Sequence, residues 1–484
     1  MTKVKSNYIF NLLSTVINLL FPILSFPYAS RILGPEGIGK VQFTITFGQY
    51  FALFAALGIP IYGIREIAKV KNNKSELSRK FTELSIIYFI SSIVLTIIYY
   101  TTILSFEKFK QDLNLFTIAG SIVLLSFSSI DWFYNGIEEF GFITIRNILI
   151  KLIALISMFY FVVNKTDVLS YHWIMVFVIT GNNILNFIFV WKKVDFNSEK
   201  LNFKVHFKPL ILVFSTTLAS SMYTLFDVLI LGFLTNDRSV GLYTAGVKLC
   251  KVTIPLVTSL GTVLMPQVAL YHSQKDSVNF NNVLTKSYNF LVFISFPVAT
   301  GLCFLSKEFI LIFSGSEYLE ANLSMKILSL LPILIGFGFL FGLQILIATG
   351  KDKEMFISVS MGMISGILFN LILIPIWDYN GASLANIISE AFVSLTYFYF
   401  VSKGFNIQLK FKPLRNALIS CLLMIPTIEF IKFIFENNAV LILLISIPFS
   451  ATIYFLVQYV IFKSEIIADL LNFGKTKLSK LYNK

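Results

Sequence analysis

Apolar runs of about 20 residues recur along the whole chain, and this pattern restricts the fold more than any other feature. A helix of that length crosses a hydrocarbon layer of roughly 30 Å. Hydrophobic residues make up 56% of the 484 residues and charged residues only 13%, whereas soluble domains carry about a quarter charged. Strand-like alternation is absent, which argues against an outer-membrane barrel. The sequence predicts an all-α integral membrane protein with about fourteen transmembrane helices.

Basic residues predict the orientation of these helices. The net charge of +13 could suit nucleic acid, but most of the cations fall in alternate loops, as cytoplasmic loops require. Residues 63–80 and 191–208 are the richest of these loops, and Arg146 and Lys151 are counted on the same side. We expect a bacterial cytoplasmic-membrane protein with both termini inside and no nucleic-acid partner. Residues 31–40, RILGPEGIGK, then face outward.

A weak internal repeat predicts two lobes. RILGPEGIG follows the first predicted helix and GFLTNDRSVG follows the seventh, and each precedes a helix that ends near a proline. Many transporters consist of such repeats, with the substrate site where the copies meet. The predicted domains are an N-lobe of six helices (1–205), a C-lobe of six (206–404), and two further helices with a basic cytoplasmic tail (405–484).

Charged residues inside predicted helices are the best candidates for substrate binding, because a charge near mid-membrane costs at least about 2.5 kcal/mol. Asp227 and Lys248 lie at a similar depth, about 15 Å from the turn between their helices. They either neutralise one another as a structural pair or contribute to a site. Lys251 shares the helical face of Lys248, and Arg31 lies nearer the rim. We predict a cationic cavity for an anionic ligand, lined by Arg31, Lys248, Lys251 and Asp227.

Four further residues are candidates for ion coupling or gating. Glu390 lies near the middle of its predicted helix and could take up H⁺ or Na⁺, or stay neutral in a bond to a neighbouring helix. Asp131, Trp132 and Glu138 mark the inner end of the fourth helix. The two acids there either gate or are simply solvated, and Trp132 suits the membrane interface.

Enzyme chemistry finds no support in the sequence. His172, His206 and His272 are expected to be isolated loop or interface residues, and no zinc-protease, nucleophile-elbow or nucleotide-binding motif occurs. We therefore expect no catalytic residue, no metal and no cofactor, and transport driven by an ion gradient, the membrane potential or the substrate gradient.

Several stretches together resemble the polysaccharide repeat-unit flippases of O-antigen and capsule export, the Wzx-like branch of the multidrug/oligosaccharidyl-lipid/polysaccharide exporter superfamily. The stretches are ASRILGPEGIGKVQF (29–43), IDWFYNGIEEFGFITIRN (130–147), DRSVGLYTAGVKL (237–249), FSGSEYLEANLSMKIL (313–328) and NGASLANIISE (380–390). The resemblance implies two lobes around a central cavity, and the translocation of undecaprenyl-diphosphate-linked oligosaccharides by alternating access. The matching positions are Arg31, Gly34, Glu36, Gly37, Asp131, Trp132, Asp227, Lys248 and Glu390. The resemblance assigns Lys251 no role.

Three rival functions stay open from the sequence. A lipid-linked peptidoglycan precursor flippase fits the same charges. An ion-coupled multidrug antiporter of the superfamily would use buried acids, yet residues 8–28 contain none. A membrane polysaccharide polymerase or glycosyltransferase would need an acid or base on a substantial outer loop. The expected partners are a polyprenyl-diphosphate-linked glycan, membrane lipids and the polysaccharide polymerase machinery.

Overall fold

The computed structural model of the protein describes residues 3–195, 201–407, 409–436, 438–464 and 467. Within these ranges the regular structure is helical and contains no strand. The prediction of an all-α membrane protein is therefore confirmed. The predicted basic tail after residue 467 and residues 196–200 of the second basic loop lie outside the described ranges.

The chain forms two compact units, Met1–Thr244 and Ala245–Lys484. The helices that begin in the first unit are α1 (Lys3–Ala56), α2 (Ile59–Val70), α3 (Lys74–Ser105), α4 (Glu107–Lys110), α5 (Leu113–Leu124), α6 (Asp131–Gly136), α7 (Phe140–Phe161), α8 (Val168–Val190), α9 (Lys204–Leu234) and α10 (Asp237–Val252). The helices that begin in the second unit are α11 (Ile254–Ser273), α12 (Ser277–Phe304), α13 (Ser306–Phe313), α14 (Asn322–Leu328), α15 (Leu331–Gly338), α16 (Asp352–Gly404), α17 (Lys412–Ile434) and α18 (Ala439–Leu456).

The helix α1 is interrupted at Gly34, whose φ of 68° and ψ of 177° are not helical. A positive φ of this size favours glycine, because a Cβ atom would clash with the backbone. The first half of α1 runs beside α7. The Thr144 hydroxyl, near the start of α7, donates to the Phe10 carbonyl (3.0 Å), and the Tyr28 hydroxyl donates to the Val162 carbonyl just after α7 ends (3.0 Å). This half of α1 is therefore parallel to α7.

The second half of α1 runs in the opposite direction. The Phe47 ring lies 5.5 Å from the ring of Tyr99, near the end of α3, and the Ser91 hydroxyl, earlier in α3, donates to the Ala55 carbonyl. This half is therefore antiparallel to α3. Because α3 and α7 are separated by the single span of α5 and α6, they point the same way. The chain consequently reverses at Gly34, and α1 contains two spans.

The helix α16 contains a second hairpin, which turns at Asp378 (φ 53°, ψ −133°). A Cβ atom built on Gly381 would lie 2.1 Å from the Leu373 carbonyl oxygen, so the backbones on the two sides of the turn are in contact. Further from the turn, the Ser389 hydroxyl donates to the Gly362 carbonyl (2.7 Å). The two halves of α16 are therefore antiparallel neighbours.

The number of spans follows from these two reversals. Eleven helical segments of the described chain are long and apolar enough to cross a membrane, and those containing α1 and α16 hold two spans each. The helix α9 contributes the shorter apolar stretch Leu225–Leu234. The chain thus has about fourteen membrane-spanning helices, as predicted.

The helix α9 packs along the second half of α1 inside the first unit. A Cβ atom built on Gly58 would lie 2.8 Å from the Phe214 backbone nitrogen, and one on Gly232 would lie 2.3 Å from the Phe43 ring. Small residues at such places let helices approach closely within a membrane. Residues 206–244, which the sequence assigns to the C-lobe, therefore pack within Met1–Thr244, and the lobe boundaries themselves stay a prediction.

The second unit packs α12 against α17 and α18, with the Phe293 and Tyr454 rings 5.4 Å apart. A π-helical stretch, Phe339–Ile347, precedes α16. It places the buried Gln344 so that its amide donates to the Ser287 hydroxyl in α12 (2.6 Å). A polar side chain within this apolar bundle thereby has a partner.

Candidate functional site

The predicted outward hairpin makes a close backbone contact within the first unit. A Cβ atom built on Gly39 would lie 1.7 Å from the Asp237 carbonyl oxygen, and one on Gly241 would lie 1.9 Å from the Pro35 carbonyl oxygen. Either distance is far inside van der Waals contact, so neither position has room for a side chain. We call this meeting of residues 35–39 with residues 237–241 the glycine contact. The two stretches related by the predicted repeat therefore touch each other.

Charged side chains flank the glycine contact. Arg31 is exposed. The Lys40 ammonium lies 3.2 Å from the Asp112 carboxylate and 4.0 Å from that of Glu36. Lys40 is thus part of a rim ion pair whose nearer partner, Asp112, the sequence did not suggest.

Asp227 is buried, with 3% of its surface exposed, and it accepts a hydrogen bond from the Tyr243 hydroxyl (2.7 Å). Tyr243 follows the glycine contact by two residues, so this bond joins α9 to the start of α10 just behind it. Lys248 and Lys251 are half-buried in α10. The pairing of Asp227 with Lys248 stays a prediction.

Asp131 belongs to a polar network inside the membrane. The Arg146 guanidinium, 4% exposed, donates through Nη1 to Asp131 Oδ1 (2.9 Å) and through Nε to Asn182 Oδ1 (3.0 Å). The Asn186 amide also donates to Asp131 Oδ1 (2.5 Å) and accepts from Arg146. Both Arg146 and Lys151 lie within the α7 span, and their assignment to the inner side of the membrane stays a prediction.

Trp132 is a core residue in this structure. It is 1% exposed, its ring stacks on Phe81 at 5.6 Å, and a Cβ atom on Gly63 would lie 2.5 Å from it. Trp132 is thus packed inside the protein, and its depth at the membrane interface stays a prediction. A gating role for it stays a prediction.

Glu138 lies in the turn between α6 and α7 with a positive φ of 62°. Its carboxylate lies 2.6 Å from the Lys71 ammonium, just after α2. Asp131, Trp132 and Glu138 thus contact three different sets of residues, although they are close in sequence.

Glu390 is buried, at 6% exposure, in the second half of α16. It follows the turn at Asp378 by twelve residues, which corresponds to about 18 Å along a helix. The structure therefore keeps this carboxyl group deep within the span, where the sequence placed it.

A buried polar cluster that the sequence did not suggest joins α2, α3 and α9. His206 Nε2 lies 2.8 Å from the Glu83 carboxylate, and His206 Nδ1 lies 2.9 Å from the Tyr62 hydroxyl. The Asn202 backbone nitrogen donates to Glu83 (2.7 Å), and the Lys80 ammonium lies 3.6 Å away from it. His206 and Glu83 are fully buried. We call Tyr62, Lys80, Glu83 and His206 the polar cluster.

The polar cluster corrects the expectation that the histidines are isolated. His206 has partners on two other helices, and His172 is also buried, with Nδ1 3.4 Å from the Thr44 hydroxyl. Because Glu83 accepts from Nε2, a neutral His206 ring is left with Nδ1 as an acceptor for the Tyr62 hydroxyl. Among the described residues, no group of three or more His, Cys, Asp or Glu could hold a metal ion.

The sequence of this chain is similar to those of known proteins. Residues 4–272 match the family described as polysaccharide biosynthesis protein. The chain is 26% identical over 399 residues to a putative O-antigen transporter of Escherichia coli (strain K12), which covers 79% of this chain and 93% of that protein.

Two solved structures share the fold. A lipid II flippase MurJ in an inward closed conformation is similar with a TM-score of 0.74 and 17% identity, over 95% of this chain and 99% of that one. An inward-facing multidrug resistance MATE family transporter of the MOP superfamily is similar with a TM-score of 0.60 and 14% identity, over 81% and 94%. The fold is thus one that membrane transporters use.

Proposed function

We propose, from the premise that the chain belongs to the polysaccharide biosynthesis protein family, that it is a flippase for lipid-linked glycans. It moves undecaprenyl-diphosphate-linked oligosaccharide repeat units from the inner to the outer leaflet of the bacterial cytoplasmic membrane. The observation that carries this proposal is the similarity to the putative O-antigen transporter, which extends over 93% of that protein. The shared fold with a lipid II flippase supports the same class of cargo.

Alternating access requires a closure that forms and breaks during each cycle. The glycine contact suits this role, because it joins two backbone surfaces directly and separates without unpairing a buried charge. When it is formed, residues 35–39 and 237–241 leave no room for substrate between them. In the proposed mechanism this contact opens to release the glycan on the outer side.

The diphosphate of the cargo carries two or more negative charges, and basic side chains are needed to bind it away from bulk water. Arg31, Lys248 and Lys251 are assigned to this binding. Asp227, held by Tyr243, limits the positive charge next to Lys248, so that release stays possible. Glu390 and the residues Asp131, Trp132 and Glu138 are assigned to coupling by H⁺ or Na⁺ and to gating.

The test is deletion of the gene followed by analysis of lipid-linked sugars on each leaflet. Completed repeat units stranded on the inner leaflet are expected. Accumulation of single units on the outer leaflet would instead identify a polymerase, and accumulation of a peptidoglycan precursor would identify the rival flippase.

The cationic site is tested by complementing the deletion with the triple variant Arg31→Gln, Lys248→Gln and Lys251→Gln. Export should fall to the level of the deletion while the protein stays in the membrane. The matched control removes three exposed lysines, Lys204, Lys307 and Lys353, and should export normally. Full export by the first variant would overturn the cationic site.

A further inference from the structure

A polar pocket of about 420 Å³ lies within the first unit, between α1, α6, α7 and α8. It is large enough for a small-molecule ligand, since such sites span about 300–1,000 Å³. We call it the asparagine pocket, because its walls include Asn18, Asn135, Asn147, Asn182 and Asn183.

This concentration of amides is unusual for a membrane-spanning bundle. Polar side chains within spans are costly and tend to mark substrate pathways, whereas ordinary helix contacts use small residues. Part of the set is explained by contacts inside the protein. The Asn147 amide donates to Asn18 (3.0 Å), the Lys151 ammonium also donates to Asn18, and Asn182 accepts from Arg146.

Two members of the set have no such structural explanation. Asn135 and Asn183 line the pocket, and within the described part of the chain no hydrogen bond engages either side chain. Both are only partly exposed. Each therefore presents a free amide, with two donor hydrogens and a carbonyl acceptor, to whatever occupies the pocket.

The charge of the pocket selects the kind of ligand. Its floor contains the Arg146 guanidinium, but Asp131 lies 2.9 Å away and neutralises it. The remaining walls consist of amides, hydroxyls and the apolar side chains of Phe140, Ile143, Val178 and Ile179. Such walls suit a neutral group rich in hydroxyls, because amide and hydroxyl groups both donate and accept.

We infer that the asparagine pocket binds a sugar ring of the transported glycan, apart from the residues that bind the diphosphate. This inference rests on the proposed function and adds to it the part of the cargo that the pocket recognises. Asn135 and Asn183 bond directly to sugar hydroxyls, and the Arg146–Asp131 pair holds the floor in shape. The pocket then sets which glycans are accepted.

The test compares two probes on the purified full-length protein. One is the lipid-linked oligosaccharide fraction extracted from cells that lack this chain, and the other is undecaprenyl diphosphate without sugar. The double variant Asn135→Ala and Asn183→Ala should bind the first probe at least about tenfold more weakly, as expected for two lost hydrogen bonds, and bind the second as wild type does. The matched control is Asn164→Ala with Asn282→Ala, at two exposed sites.

Each outcome decides between the inference and the proposed function. Equal binding of the first probe by variant and wild type, or equal loss of both probes, overturns the inference and leaves the flippase proposal standing. Failure of the wild type to bind either probe overturns the proposed function. A measurement independent of the variants is the unfolding temperature of the wild-type protein with the glycan released from its lipid, which should rise, and no rise would count against the pocket.

Discussion

The glycine contact lies at the start of the second half of α1, the polar cluster lies beyond its end at α2, α3 and α9, and both hold the segment that contains α9. At one end, backbone meets backbone at Gly39 and Gly241, and no side chain takes part. At the other end, His206 at the start of α9 is bonded to Tyr62 and Glu83. One segment is thus held by shape at one end and by buried polar groups at the other.

This difference determines which kind of substitution disrupts the contact at each end. A contact made by shape is lost when an atom is added, because there is no space for it. A buried polar cluster is lost when a group is removed, because its partner is left buried without a hydrogen bond. We therefore expect the first kind of change to affect movement and the second to affect stability.

The largest effect is expected from Gly241→Ala. The new Cβ atom would lie 1.9 Å from the Pro35 carbonyl oxygen, so the glycine contact cannot close without a shift of the main chain. Export in a complemented deletion strain should fall by about a hundredfold or more, with the protein still in the membrane. Gly301→Ala is the matched control, because a Cβ atom there meets nothing within 4 Å. Normal export by Gly241→Ala would show that the contact is not a moving closure.

A smaller effect, on stability and not on export, is expected from His206→Ala. It leaves the buried Glu83 carboxylate without its histidine partner, which should lower the free energy of unfolding by about 3 kcal/mol. Unfolding of the purified protein in denaturant measures this change. The control His272→Ala removes an exposed ring and should change stability little. If His206→Ala and His272→Ala lowered the free energy of unfolding equally, the polar cluster would stabilise the protein no more than ordinary packing does.

The smallest effect is expected from Glu138→Gly. The substitution removes a surface ion pair to Lys71, worth about 0–1 kcal/mol, and relieves a left-handed backbone, which costs roughly 1–2 kcal/mol for a side-chain-bearing residue. The two effects oppose each other, so the free energy of unfolding should rise by about 2 kcal/mol at most. Lys71→Ala separates them, because it removes the pair and keeps the positive φ. Loss of export by Glu138→Gly but not by Lys71→Ala would support the predicted gating role.

The fold class and the family resemblance were predictable because they depend on features that are local in the sequence. Runs of apolar residues indicate spans wherever they occur, and motifs such as RILGPEGIGK and DRSVGLYTAG carry the resemblance, which is confirmed. The sequence relates these two stretches by a repeat, and the structure brings them together at Gly39 and Gly241.

The polar contacts were not predictable, because their partners are distant in sequence. His206 and Glu83 are separated by 123 positions, and nothing near either residue indicates the other. Nor did the sequence indicate that the Arg146 guanidinium bonds to Asp131, Asn182 and Asn186. Tertiary packing, which periodicity does not encode, decides such cases.

The reversal at Gly34 has a consequence for membrane insertion. If residues 3–56 entered the bilayer without this turn, the number of crossings before every later loop would change by one. The basic loops would then face the wrong side of the membrane, against the charge bias that fixes orientation. The turn at Gly34, with its φ of 68°, and the lysines of the later loops must therefore specify the same topology. For a variant at Gly34, the first measurement should be which side of the membrane the later loops face.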